Sequence, residues 1–127
     1  MLTEAQAHRV FLHPSITASD GDTEGGAPVC ITEMLAAGMP VVSTTRCDIP
    51  EVVGPALQHL VPPGRDAPAW VDRLKTLLAA HRDWPALAQA GRSRIESEYQ
   101  RNLQAQRLRD LHLEVHCQPG RPRARAT

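Results

Sequence analysis

The sequence predicts an α/β chain built on parallel strands, and three stretches carry that prediction. HRVFLHPSI, residues 8–16, holds a short apolar run stopped by Pro14 and Ser15; PVCITEMLAAG, 28–38, is made of good helix formers; MPVVSTT, 39–45, is a compact β-branched run. An apolar run ended by turn chemistry reads as a buried strand. Strand, loop, helix and strand inside about 35 residues is the pattern of a crossover between parallel strands.

The elements follow in order. TASDGDTEGG, 17–26, is rich in Gly, Asp, Thr and Ser and reads as a loop. Pro28 suits the first helical position, which puts the N-cap on Ala27, while Gly38 and then Pro40 mark the stop. DIPEVVG, 48–54, predicts a helical turn with Asp48 near its start, and LQHLV, 57–61, a third strand closed by Pro62, Pro63 and Gly64. Asp66 is a fitting N-cap, with Pro68 tolerated in the first turn. Behind it Trp70, Val71, Leu74, Leu77 and Leu78 form a helical apolar stripe. A further helix spans Trp84–Tyr99, interrupted or bent at Gly91, and another spans Asn102–Val115, with Leu103, Leu108, Leu111 and Val115 toward one side. The organisation predicted is one domain over 1–116 and a disordered basic tail over 117–127, where Arg and Pro replace large apolar residues.

Composition narrows the function. Apolar residues are 42% and charged residues 22%, which excludes a disordered chain or a membrane span. The 14 basic side chains match the 14 acidic ones, and aromatic residues are 3%, so neither a phosphate-backbone binder nor a base-stacking platform fits, and no nucleic-acid partner is expected. Cys30, Cys47 and Cys117 are odd in number and lack CxxC spacing, which suits reduced thiols in a cytoplasmic protein. Met1–Val10 is polar and helix-like, without the apolar run of a signal peptide. Five Arg within 107–125 are too sparse to support contact with the inner membrane face, and a solvated tail is the expectation.

The chemistry concentrates in DGDTEGGAPVCITE, 20–33. In a parallel α/β sheet, ligands bind outside the carboxyl ends of the strands, where loops run into helix starts. A helix start capped by Ala27 leaves its first N–H groups without a side-chain acceptor, and Gly25 and Gly26 let the backbone approach an anion that the helix dipole favours. A diphosphate fits such a place. Glu24 stands before the glycines and Glu33 lies inside the helix beyond Pro28. Carboxylates accept hydrogen bonds from vicinal hydroxyls, so two of them around an anion site suggest a nucleotide sugar. Around this loop, His13 reads as a strand-end histidine in a structural hydrogen bond. Asp20 and Asp22 read as an acidic turn rather than a metal pair. Arg46, Cys47 and Asp48 face the carboxyl edge as well, without spacing that proves contact.

EGGAPVCITEMLAAGMPVVST with DIPEVV and LVPPGRD resembles the C-terminal, nucleotide-sugar-binding lobe of retaining GT-B glycosyltransferases of the family 4, group 1 class. The resemblance covers roughly 8–115 and is strongest over 13–54. It implies a partial Rossmann-like, doubly wound parallel sheet with C-terminal helices. It also implies transfer of a sugar from a UDP- or GDP-linked donor to an acceptor hydroxyl with retention, with no metal or other cofactor. By the same resemblance Glu24 would act at the donor sugar, Gly25, Gly26, Ala27 and Pro28 would offer contacts to sugar and diphosphate, and Glu33 would hold the ribose hydroxyls.

Two features depart from the family. Eight residues, Gly25 through Thr32, separate the two glutamates, one more than the family's usual spacing. The Arg and Lys that neutralise the leaving diphosphate there have no counterpart ahead of Glu24, where only His8 and Arg9, on the approach to the first strand, and the strand-end His13 occur. The partner expected is therefore an N-terminal acceptor lobe or a separate subunit. A nucleotide or nucleotide-sugar binding module without catalysis, and a truncated remnant, stand as alternatives.

Overall fold

The computed structural model describes residues 2–22, 26 and 28–117. Its elements run α1 (Leu2–Ala7), β1 (Phe11–Leu12), α2 (Val29–Ala36), β2 (Val41–Val42), α3 (Ile49–Val53), a 3-10 helix (Pro55–Leu60), α4 (Ala67–Ala79), a short 3-10 turn (His81–Asp83), α5 (Trp84–Glu98) and α6 (Arg101–Cys117). The stretch 118–127, most of the expected tail, lies outside the described residues.

The expected crossover is present. β1 and β2 pair in parallel, Phe11 opposite Val41 and Leu12 opposite Val42. Slanted bonds from Phe11 N to Pro40 O and His13 N to Val42 O, both 2.9 Å, complete the pair. Val41 and Val42 are both buried, so the middle strand is covered on both faces, as a parallel strand requires.

The third strand is corrected. Residues 55–60 form a 3-10 helix, because Pro55 opens it and Leu57 and Leu60, three apart, fall on one face and are both buried. Sheet contact is displaced to its end: Ser43 N donates to Leu60 O (3.3 Å) and Thr45 N to Pro62 O (3.2 Å). The return bonds of a parallel ladder would need an N–H at position 62, and proline has none. The segment therefore lies beside β2 half-paired. What the described residues form is a mixed helical fold around a small parallel sheet.

α2 stops as its sequence indicates. Gly38 has φ +77°, its N–H reaches Leu35 O, and Met39 N reaches Met34 O, each 2.9 Å. That is a Schellman ending, with Met34 and Met39 both packed in the core. Arg92 Nε of α5 adds a bond to Ala36 O at 3.2 Å, a cation at the negative end of α2. Asp66 caps α4 as expected, its carboxylate accepting from Ala69 N at 2.9 Å.

Three expectations about the C-terminal helices change. α5 runs unbroken through Gly91, which is buried against α2: a Cβ there would lie 2.9 Å from Leu35 Cδ2. Gly91 marks a close helix approach, not an interruption. In α4 the inward stripe is Trp70, Leu74 and Leu77, while Val71 and Leu78 are exposed. Along α6, Leu108, Leu111, Leu113 and Val115 are exposed, so no apolar side is covered there. α6 is tied at its start, where Arg107 pairs with Glu98 at 2.7 Å. The Arg107 hydrogen bond and charge hold the Glu98 carboxyl below its ordinary range. Among the described residues no helix is long and apolar enough to cross a membrane.

Candidate functional site

Both strands deliver their carboxyl ends to one edge, and side chains just past them tie that edge together. Ser43 Oγ donates to His13 O (2.9 Å) and Thr44 Oγ1 to Ser15 O (2.8 Å), with Ser43 and Thr44 fully buried. Buried hydroxyls must find acceptors, and these find carbonyls on the neighbouring strand exit. His13 Nδ1 lies 3.3 Å from Ser43 Oγ, in keeping with the structural role expected of it. Asp20 Oδ1 accepts from Asp22 N at 3.0 Å, and Ala18 N donates to Asp22 O at 3.0 Å, so the Asp20 carboxylate and the Asp22 backbone serve the turn.

The α2 start differs by one residue from expectation. Pro28 is the N-cap, not the first helical residue, because its φ of −62° goes with an extended ψ of 128°. Proline has no side-chain oxygen, and α2 begins without a side-chain cap bond. Glu33 is exposed, one turn into α2, roughly 6 Å along the axis from Val29. Its carboxylate meets no partner among the described residues. Gly26 lies beside the loop after β2: a Cβ on it would stand 3.8 Å from Asp48 Oδ2. Glu24, Gly25 and Ala27 lie outside the described residues. Of the six expected site residues, Gly26, Pro28 and Glu33 can thus be placed, all where the β1 loop enters α2.

Next to this loop is a crevice of about 540 Å³ lined by residues 15–19, 45–46 and 64–65. Its charged side chains are Arg46 and Arg65. Arg46 Nη1 donates to Thr17 Oγ1, and Arg65 Nη2 donates to Thr17 O at 2.7 Å. Arg65 escaped the sequence reading because the expected strand at 57–61 was closed at Pro62, Pro63 and Gly64, which left Arg65 as plain loop. The signal was present: PPGR follows a segment that ends beside β2, so its arginine falls at the same edge as Arg46. A larger hollow of about 710 Å³ lies at the amino end of β2, lined in part by His8, Met39, Trp84 and Arg92. Ligands of open α/β sheets bind at the other end.

Comparison with known proteins identifies the family. The family model of the group 1 glycosyl transferases matches residues 2–80, a span that runs from α1 through α4 and holds both strands and the α2 loop. The chain belongs to the group 1 glycosyltransferases. Curated relatives agree. The amylovoran biosynthesis glycosyltransferase AmsK of Erwinia amylovora is 34% identical over 102 residues, 80% of this chain and 25% of that protein. The putative colanic acid biosynthesis glycosyltransferase WcaL of Escherichia coli is 36% identical over 103 residues, again 80% and 25%. A GDP-mannose-dependent mannosyltransferase of Corynebacterium glutamicum, acting on a monoacylated phosphatidylinositol monomannoside, is 32% identical over 115 residues, 87% of this chain and 29% of that protein. This group 1 glycosyltransferase chain thus spans about a quarter of the length of these relatives. No solved structure matches it.

Proposed function

We propose that the chain is the donor-binding C-terminal lobe of a retaining, family 4 GT-B glycosyltransferase, a part of a doubly wound domain that works in the cytoplasm. The observation that carries the reading is the start of α2, which opens without a side-chain cap at the carboxyl edge of the sheet, with the Glu33 carboxylate, unpartnered among the described residues, one turn inside. In this reading the first N–H groups of α2 and the loop at Gly25, Gly26, Ala27 and Pro28 receive the diphosphate of a nucleotide sugar. Glu33 accepts from the ribose hydroxyls, and Glu24 stands at the donor sugar, where transfer to an acceptor hydroxyl occurs. The name of the Corynebacterium relative supports a GDP-linked donor as the first to try, with UDP beside it.

Calorimetric titration with GDP and UDP tests the donor site. Glu33→Ala is expected to weaken nucleotide affinity by about 10- to 150-fold, the loss of roughly 1.5–3 kcal/mol for a charged hydrogen bond. No heat with either nucleotide, or an affinity that Glu33→Ala leaves unchanged, would overturn the donor reading.

A second reading, a binding module without catalysis of its own, is favoured by the quarter-length match to the relatives. The two readings share the donor site and differ in turnover. These 127 residues alone are expected to bind nucleotide and to transfer no sugar. The acceptor contacts and a basic pair ahead of the Glu24 loop would come from an N-terminal lobe or partner subunit, and charge neutralisation of a leaving diphosphate is a large part of catalysis. Transfer measured with the isolated chain would show that no second lobe is needed. Transfer that appears only when an acceptor lobe is added would favour the first reading over the second.

A further inference from the structure

Arg46 leaves the sheet four residues past the end of β2, and Arg65 follows the half-paired segment that ends at Pro62. The two side chains come from neighbouring exits and converge on Thr17, which belongs to a third. Three other arginines of the surface have counter-ions: Arg94 pairs with Glu51, Arg107 with Glu98 and Arg109 with Asp110. Among the described residues, neither Arg46 nor Arg65 meets a carboxylate. The nearby acids are engaged or turned elsewhere, Asp66 on Ala69 N, Asp20 on Asp22 N, and Asp48 toward the Gly26 loop.

Two like charges drawn to one residue repel, and among the described residues no carboxylate pairs with either. Arg46 also keeps a buried Nε that has no acceptor among the described residues, although an unsatisfied buried donor is costly. Arg65 holds φ at +64°, a left-handed backbone that a side chain this large adopts only when its surroundings impose it. The crevice between them is further lined by Ser19 and Thr45. Guanidinium groups with hydroxyls around a crevice of about 540 Å³ match the geometry and charge of a phosphoryl group, which accepts from several donors at once.

We propose that the Arg46–Arg65 crevice is a phosphoryl-binding site, taking the phosphate or diphosphate of a substrate. It lies outside the α2 start and Glu33, and it stands on its own residues whether or not the donor reading holds. The phosphoryl group can come from the nucleotide donor or from a phosphorylated acceptor. In the first case Arg46 and Arg65, which follow Glu24 in the chain, supply positive charge to the donor diphosphate.

The test titrates the full chain with inorganic pyrophosphate, then with GDP. Pyrophosphate is expected to bind, and Arg46→Gln and Arg65→Gln are each expected to weaken it by about tenfold or more. Arg65→Lys keeps part of the affinity, while the exposed Arg73→Gln on α4 leaves it unchanged. Thermal melts confirm that each variant is folded. Arg65→Gln removes only one exposed hydrogen bond, so it remains a fair test if Arg46→Gln disturbs its loop. Competition between GDP and pyrophosphate identifies the donor diphosphate as the source, and simultaneous binding of both identifies a phosphorylated acceptor. Absence of pyrophosphate binding, an affinity that survives Arg65→Gln, or an equal loss in Arg73→Gln would overturn the proposal. A failed donor site would show instead as GDP binding indifferent to Glu33→Gln.

Discussion

Leu35→Ala is expected to lower the unfolding free energy by about 2–5 kcal/mol, enough to melt the chain many degrees earlier. Leu35 is 1% exposed and sits where α2 meets α5, so the lost methyl groups leave a cavity that two packed helices cannot easily close. An ordinary domain is stable by only about 5–15 kcal/mol, so this substitution removes a large part of the whole. The same contact yields a sharper expectation through Gly91. A Cβ on Gly91 would stand 2.9 Å from Leu35 Cδ2 and 3.5 Å from Leu57 Cδ1. Gly91→Ala alone gains about 1 kcal/mol of helix propensity and loses about 1–3 kcal/mol to overpacking, so it is neutral or destabilising. With Leu35 already truncated, Cδ2 is gone and only the propensity gain remains. Gly91→Ala is then expected to stabilise the Leu35→Ala protein. Urea unfolding of the two single variants and the double variant measures the coupling. Strictly additive effects would show that Leu35 and Gly91 do not share this contact.

The second large effect is expected at Gly54, between α3 and the 3-10 helix. Its backbone stands at φ +77°, ψ 169°, a region that only glycine occupies without strain. A Cβ there would also lie 3.1 Å from Arg94 Nε and 3.2 Å from its Cδ. Arg94 is held in place: its Nη2 donates to Glu51 O at 3.0 Å and Oε1 at 3.1 Å, and its guanidinium lies 5.7 Å from the Tyr99 ring centre. Gly54→Ala is therefore expected to cost about 2–4 kcal/mol, roughly 1–3 from the backbone and about 1 from displaced Arg94 contacts. Thermal unfolding checks the sum. In an Arg94→Ala background the cost should fall to the backbone part alone, and a cost that vanishes there would mean that the dihedral strain is negligible.

Features written in local chemistry were legible in the sequence. Gly38 with Pro40 marks the end of α2, Asp66 marks the start of α4, and VFL and PVV mark the two strands, each through a signal within a few residues of its effect. Features that depend on distant partners were not. LQHLV has the composition of a strand, yet its two leucines are three apart and Pro62 removes the donor that a ladder needs, so a 3-10 helix prevails. Gly91 reads as a flaw in a helix until Leu35 is found against it. The α6 leucines have apolar character but no neighbouring element to meet among the described residues. At the candidate site, Glu33 and Pro28 could be found from their order along the chain. Arg65 could not, because its pairing with Arg46 arises only after 48 residues of chain bring it to Thr17.

Pro62 and Pro63 also give the small sheet a direction. Leu60 O and Pro62 O face β2, so positions 61 and 63 turn their backbone outward. Val61 N is already spent on Gln58 O at 3.0 Å, and Pro63 has no N–H to offer. That outer border therefore presents no donor to a newcomer, whether a strand of another molecule or a misplaced part of this one. On the opposite border Leu12 alternates with Phe11 and His13, which bond to β2, and so turns its own amide away from β2. Any strand that joins this sheet finds its backbone partner beside β1, and the sheet can be extended from one side only.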